Sequence, residues 1–166
     1  MKTLTLVRHG KSSWDDANLA DFDRPLASRG LRDAPRMAKR FARKNKKPDV
    51  IISSPAERAA HTARIFLEEL GLDEQRLVLE PDIYEASWGT LLEIVRGLND
   101  SWSSVVLVGH NPGFTSLASA LTENAPANIP TSGIAVIRLP VEQWRMVRDN
   151  MNAELDFDYP KNPHPK

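Results

Sequence analysis

Thr3-Leu4-Thr5-Leu6-Val7-Arg8-His9-Gly10 is a short apolar and β-branched run that ends on an arginine, a histidine and a glycine. It reads as a buried strand that leaves its sheet at a glycine turn. The same grammar returns in Ser104-Val105-Val106-Leu107-Val108-Gly109-His110-Asn111-Pro112-Gly113. Strands that are apolar on both faces belong to parallel sheets covered by helices. Ligands bind at the carboxyl ends of such strands, so both imidazoles are expected to point into one crevice.

Working outward, Asp49 to Ser53 is a third strand, and Ser54-Pro55-Ala56-Glu57-Arg58 reads as a helix start. Ser54 suits the cap, Pro55 the first helical position, and Glu57 completes a capping box. Ala56, Ala59, Ala60, Ala63, Phe66, Leu67 and Leu70 form one apolar stripe, and Gly71 ends the helix. Another helix is expected near residues 28–45, with Leu31, Ala34, Ala38, Phe41 and Ala42 at helical spacing. Pro35 should kink or delay it. The basic residues from Arg36 to Lys47 are most simply its solvated face; a docking surface for an acidic partner is the alternative. Lys11 to Pro25 is a long polar connection, of a length that often carries function. Further strands are expected at Leu77–Glu80, Ile134–Leu139 and, as an edge, Ala153–Phe157, and further helices at Trp88–Leu98 and around Phe114, Leu117, Ala118 and Leu121. Residues 159–166, which include His164, read as an irregular tail. The alternation predicts one α/β domain over residues 1–166, three layers deep, with a mostly parallel central sheet flanked by helices.

Composition removes several classes of function. The chain has 166 residues, 41% of them apolar, enough for one sizeable core. Twenty-two basic residues balance 22 acidic ones, so no global charge argues for nucleic acid or a membrane surface. No cysteine is present, which excludes disulfides, thiolate catalysis and cysteine-ligated zinc. No signal-peptide pattern and no apolar run near membrane-spanning length is visible, so the cytosol is the expected compartment. Four histidines without close His–His spacing offer no metal-ligand set. Gly10-Lys11-Ser12 after the first strand suggests a nucleotide-binding loop, but Thr5 stands where that motif needs its first glycine.

Two histidines and two arginines at one sheet edge point to phosphoryl chemistry. A phosphoryl group in transfer spreads charge over its oxygens and needs fixed cationic donors with an in-line nucleophile. Arg8 at a strand end and Arg58 in the first turn of a helix suit the first task. A neutral histidine suits the second, since nearby arginines disfavour its protonation. Gly10 would let backbone approach the phosphate. His61, three residues beyond Arg58, reads as a helix-surface or packing residue. Trp14, Trp88, Trp102 and Trp144 are too scattered for a base-stacking platform; Trp14 or Trp88 could line the mouth of a site, but core packing or ordinary surface is the simpler reading.

Leu6-Val7-Arg8-His9-Gly10, Ser53-Ser54-Pro55 with Arg58 and Thr62, and Val108-Gly109-His110-Asn111-Pro112 together resemble the three signatures of the histidine phosphatase superfamily, which includes the cofactor-dependent phosphoglycerate mutases. Asp21-Phe22-Asp23-Arg24-Pro25-Leu26 with Gly30, and Thr131-Ser132-Gly133-Ile134, resemble its short SixA-type phosphohistidine phosphatase branch. The resemblance implies a phosphoglycerate mutase-like fold, His9 as the nucleophile that becomes phosphorylated, and Arg8, Arg58 and His110 as the phosphate pocket. Arg24 is implied as a further pocket or substrate contact. For the general acid it leaves Glu85, near the place where larger members carry a glutamate, and Asp21 as competing candidates. It implies no cofactor.

His110 lies 52 positions beyond Arg58, a span little longer than the helices and strand it must supply. The insertion that closes over small substrates in larger relatives has no room here. An open site is therefore expected, suited to phosphohistidine on a protein; a lid would instead exclude water and grip a small ligand. The competing expectations are a small-molecule phosphomonoesterase for sugar phosphates or nucleotides, and a phosphate-binding module without catalysis.

Overall fold

A computed structural model describes residues 1–163; His164 lies outside the described residues. The expected strands form as β1 (Lys2–Arg8), β2 (Val50–Ser53), β3 (Leu77–Leu79), β4 (Ser104–Gly109), β5 (Ile134–Leu139) and β6 (Glu154–Asp158). They make one sheet in the order β3-β2-β4-β1-β5-β6. β1 to β4 are mutually parallel; β5 runs antiparallel to β1, and β6 antiparallel to β5. Four helices cover the sheet: α1 (Ser28–Lys44), α2 (Glu57–Glu69), α3 (Trp88–Arg96) and α4 (Gly113–Leu121). Among the described residues no helix is long and apolar enough to cross a membrane.

Successive strand residues point to opposite faces, so an unbroken apolar run feeds two cores at once. Leu4, Leu6, Ile52, Val105 and Leu107 pack with Leu91 and Val95 of α3 and with Phe114, Leu117 and Leu121 of α4. Val7, Ile51, Val106 and Val108 pack on the other side with Met37 and Phe41 of α1 and with Ala63 and Phe66 of α2. Each such side chain taken from water contributes about 1.5–3 kcal/mol. The result is the expected three-layer α/β architecture.

Three local expectations are corrected. The buried stripe of α1 is Gly30, Asp33, Ala34, Met37, Ala38 and Phe41, while Leu31 is 47% exposed. Ala42 also faces solvent. The helix passes through Pro35 without interruption. The carbonyl that loses its partner there belongs to Leu31, on a solvent-facing turn, where the loss is cheapest. The capping box does not form: α2 begins at Glu57 with Ala56 before it and no side-chain cap. Ser54 instead accepts from the Ala56 amide at 3.2 Å and turns its hydroxyl to the site. Gly71 does end the helix region, at φ +66°.

Strand register sets the functional residues in place. Arg8 stands opposite Gly109 in the β1–β4 ladder, and Ser53 opposite Val108 in the β2–β4 ladder. His9, Ser54 and His110 are each the next residue along. They therefore leave the sheet together at its carboxyl edge.

Gly30 fixes the polar connection after His9 against α1. A Cβ at this position would lie 2.4 Å from the Lys11 carbonyl oxygen and 2.9 Å from its amide nitrogen. Inside a helix alanine is ordinarily better than glycine by about 1 kcal/mol. Here the backbone clash should win, and Gly30→Ala is expected to lose about 1–3 kcal/mol in chemical denaturation. A variant more stable than the parent would refute this account of the contact.

Candidate active site

His9 is 7% exposed at the end of β1. Its Nδ1 lies 2.7 Å from the carbonyl of Gly10. A carbonyl can only accept, so Nδ1 carries the proton and Nε2 keeps the lone pair. The Gly10 amide donates to Thr62 Oγ1 at 3.0 Å, and that hydroxyl donates back to the Arg58 carbonyl at 2.8 Å. Gly10 thus spends both backbone groups on holding the His9 ring and tying β1 to α2. It does not offer its N–H to the cleft, which corrects the expectation that it binds phosphate.

An open cleft of about 270 Å³ is lined by Arg8, His9, Arg24, Arg58 and His110, together with Lys11, Ser12, Trp14, Asn111 and Thr131. The two imidazole rings stand 5.2 Å apart, centroid to centroid. His110 Nε2 is 2.8 Å from Ser54 Oγ, whereas its Nδ1 is buried without a protein partner. Arg8 donates from Nη1 to the Ile129 carbonyl at 3.0 Å, and its Nε is likewise buried and unpartnered. Buried polar atoms are nearly always satisfied, and an orphan costs roughly 1–3 kcal/mol. Arg8 and His110 both line the cleft beside the Arg58 guanidinium, and two unpartnered polar atoms there fit a small anion with several acceptor oxygens.

Asp21 organises the other wall. Its carboxylate accepts from Arg58 Nη2 at 3.0 Å, from Arg24 Nη1 at 3.1 Å and from the Tyr84 hydroxyl at 2.6 Å. Its carbonyl accepts from Arg58 Nη1 at 2.6 Å. The Tyr84 hydroxyl foremost, and then the two guanidinium groups, hold the Asp21 carboxyl down to about 2. The same bond pushes the Tyr84 phenol up to about 12. Asp21 is therefore an ionised anchor and has no proton to give at neutral pH, which corrects its candidacy as general acid. Glu85, the other candidate, is exposed at φ +58° and does not line the cleft. Arg24 does reach the cleft, but its nitrogens are committed to Ser13, Ser12 and Asp21, and its guanidinium lies 3.2 Å over the Trp14 ring.

Burial above all lowers the pKa of His9, to about 3, with the positive charge around it adding to the effect and the Gly10 bond opposing it. Burial, then Arg58, lowers His110 to about 4. Both rings are neutral at pH 7, as a nucleophile requires.

Sequence reasoning misses Tyr84. It packs edge-on to His110 at 5.4 Å and to Phe22 at 5.1 Å. Its only sequence signal was its place beside Glu85. Trp14 lines the mouth, Trp88 is 39% exposed on α3, and Trp144 is fully buried. His61 sits half-buried on α2, away from the cleft.

The sequence model of the histidine phosphatase superfamily (branch 1) matches residues 4–96. The chain belongs to this superfamily. It is 34% identical over 166 residues to the uncharacterized protein Rv1276c of Mycobacterium tuberculosis, covering 93% of this chain and all of that one. The crystal structure of SixA from Agrobacterium tumefaciens, provisionally identified as a phosphohistidine phosphatase, superposes with a TM-score of 0.78 at 31% identity, over 96% of this chain and 98% of that one. A 2,3-bisphosphoglycerate-dependent phosphoglycerate mutase from Azorhizobium caulinodans is 34% identical over 100 residues, 59% of this chain and 47% of the mutase.

The depressed histidines fix a pH response. An unfolded imidazole titrates near 6.5. As pH falls below that value the unfolded chain takes up protons that folded His9 and His110 refuse, so stability is lost between pH 6.5 and the folded values of about 4 and 3. Imidazole nitrogen NMR signals of both rings should remain those of neutral histidine down to about pH 5. Midpoints near 6.5 for this pair would contradict the proposed burial and charge environment.

Proposed function

We propose that the chain is a metal-independent phosphatase that hydrolyses phosphohistidine on a protein. The observation that carries the chemistry is the His9 ring, fixed through Nδ1 on Gly10 and set neutral beside Arg8, Arg58 and His110 in an open cleft. Superfamily membership supports phosphatase or mutase chemistry, and the likeness to SixA supports the phosphohistidine reading.

His9 Nε2 attacks phosphorus in line while the P–N bond to the substrate imidazole breaks. The leaving imidazole departs carrying a proton from solvent. Water then attacks the phosphorus on Nε2, releasing inorganic phosphate and restoring His9. Charge on the transferring oxygens is met by Arg8, Arg58 and the orphaned Nδ1–H of His110 in both steps. Ser54 Oγ, donating to Nε2, would set that tautomer of His110. The P–N bond of a phosphoramidate breaks readily once its nitrogen is protonated, because the imidazole then leaves as a neutral group. This explains how the site works with neither Asp21 nor Glu85 as a resident acid.

Openness supports a protein substrate. None of the residues between Arg58 and His110 lines the cleft. A macromolecule brings its own walls and needs no lid. Mutase chemistry fits less well, because the intermediate must be retained while the substrate turns over within the pocket.

The test is phosphate release, in chelator, from a phosphohistidine-bearing protein and from p-nitrophenyl phosphate. His9→Ala should abolish release of phosphate and the acid-labile label on the protein; turnover near the parent's rate would sink the mechanism. Arg58→Ala should lose roughly a hundredfold or more in kcat/KM while remaining folded. Preference for the small ester would instead identify a phosphomonoesterase, and binding without turnover a phosphate-binding module.

A further inference from the structure

A second cleft, of about 330 Å³, adjoins the first and takes no part in the proposed chemistry. Arg29, Arg32 and Arg36, spaced along one face of α1, form one side, and Tyr159, Pro160 and Lys161 the other. Thr131 lines both clefts, so the two meet there.

The far wall is fixed in place. Arg40 of α1 makes a two-pronged ion pair with Asp158 at the end of β6 and donates from Nη2 to the Tyr159 carbonyl at 2.9 Å. Tyr159 stacks on Phe157 at 5.1 Å. The chain beyond β6 is thereby strapped along α1, and Lys161 is brought to the arginines.

Four cations line this cleft against one acid. Asp33 is buried and already engaged by Arg32 at 3.1 Å and by Arg36 at 3.6 Å. Those two side chains nonetheless remain 62% and 56% exposed. Arg29 and Lys161 form no ion pair with a described residue. The whole chain carries no net charge, so this is a local excess. Like charges gathered in a cleft repel one another and raise the local concentration of an acidic partner. A bare phosphate would need donors that converge and are desolvated, as they are around His9. Here the cations are exposed and spread over two turns of helix, which suits several carboxylates carried on a polypeptide.

We infer that this basic cleft docks an acidic segment of the protein whose phosphohistidine enters the adjoining cleft, an assignment that rests on the protein-substrate reading above. It explains why the basic face of α1 begins beside the site instead of being scattered.

A fluorescein-labelled hexaglutamate peptide tests the cleft directly by anisotropy. The double variant Arg29→Glu/Lys161→Glu reverses charge while leaving both partners of Asp33 in place, and Arg32→Gln/Arg36→Gln reads the same cleft without reversal. The parent should bind the peptide, and the first variant about tenfold or more weakly. Saturating inorganic phosphate should leave the binding intact, and p-nitrophenyl phosphate turnover should be unchanged in both variants. With a phosphohistidine protein bearing acidic flanks, KM should rise and kcat hold. No peptide binding by the parent, binding indifferent to both variants, displacement by phosphate, or tighter binding of a single-stranded oligonucleotide would each overturn the assignment. Peptide binding that needs Arg29 and Lys161, without phosphohistidine turnover by the parent, would overturn the protein-substrate reading and leave an acidic docking site standing. Turnover with KM indifferent to the charge reversals would overturn the docking site alone.

Discussion

The parallel ladder between β1 and β4 is the constraint on which both core and site depend. It pairs Leu4 with Val105, Leu6 with Leu107 and Arg8 with Gly109. A slip of one residue would send Leu4 and Leu6 to the wrong face, away from α3 and α4. The same slip would part His9 from His110. Core packing therefore enforces the catalytic register, and the site borrows its precision from apolar side chains that never touch a substrate. The second tie is local. Gly10 spends its carbonyl on His9 and its amide on Thr62, so the ring orientation is coupled to α2 and to the backbone of Arg58.

Charge balance is the next requirement. Arg8, Arg24 and Arg58 crowd one cleft, and Asp21 is the anion that meets two of them. Its placement leaves the Arg8 side open, where Nε and the Nδ1 of His110 lack protein partners. Among the described residues Arg8 has no ion pair, so an uncompensated cation lines the cleft beside His9. The same burial that keeps the two imidazoles neutral makes an incoming dianion easier to hold, because its charge meets fixed donors in place of water. Tyr84 contributes by fixing Asp21 and bracing the His110 ring, which makes it a positioning residue for two members of the site at once.

What sequence made legible follows from periodicity and adjacency. Apolar runs gave the strands, and His9, Arg58 and His110 could be placed because each sits within a turn of a readable strand end or helix start. Features that depend on distant partners were out of reach. Ser54 has the right chemistry for a helix cap, yet its hydroxyl serves His110, which lies 56 residues away. Leu31 matches helical spacing but falls beside the buried stripe, because the packing of α1 on α2 chooses Met37 and Phe41 instead. Gly10 looked like a phosphate cradle; its amide is taken by Thr62, 52 residues on. Asp21 and Glu85 are equivalent as carboxylates in sequence, and only the fold shows one bound by three donors and the other turned outward. Tyr84 carries no local signal of its own.

The short span between Arg58 and His110 leaves the cleft uncovered. Residues between Arg58 and His110 build the remainder of α2, then β3, α3 and β4; of their side chains Thr62 ties Gly10 to α2 and Tyr84 braces the wall, and neither lines the cleft. Trp14, 72% exposed and held over Arg24, stands at the mouth on the opposite segment. A small phosphate ester in such a cleft would keep much of its hydration and gain little binding energy beyond the phosphoryl group. Under the proposed function, a phosphohistidine on a protein surface would gain the remainder from contacts outside the cleft, along the basic face of α1. On that reading, discrimination would lie in the surfaces around the pocket, and the pocket itself would need only to recognise a phosphoryl group and present one imidazole nitrogen to it.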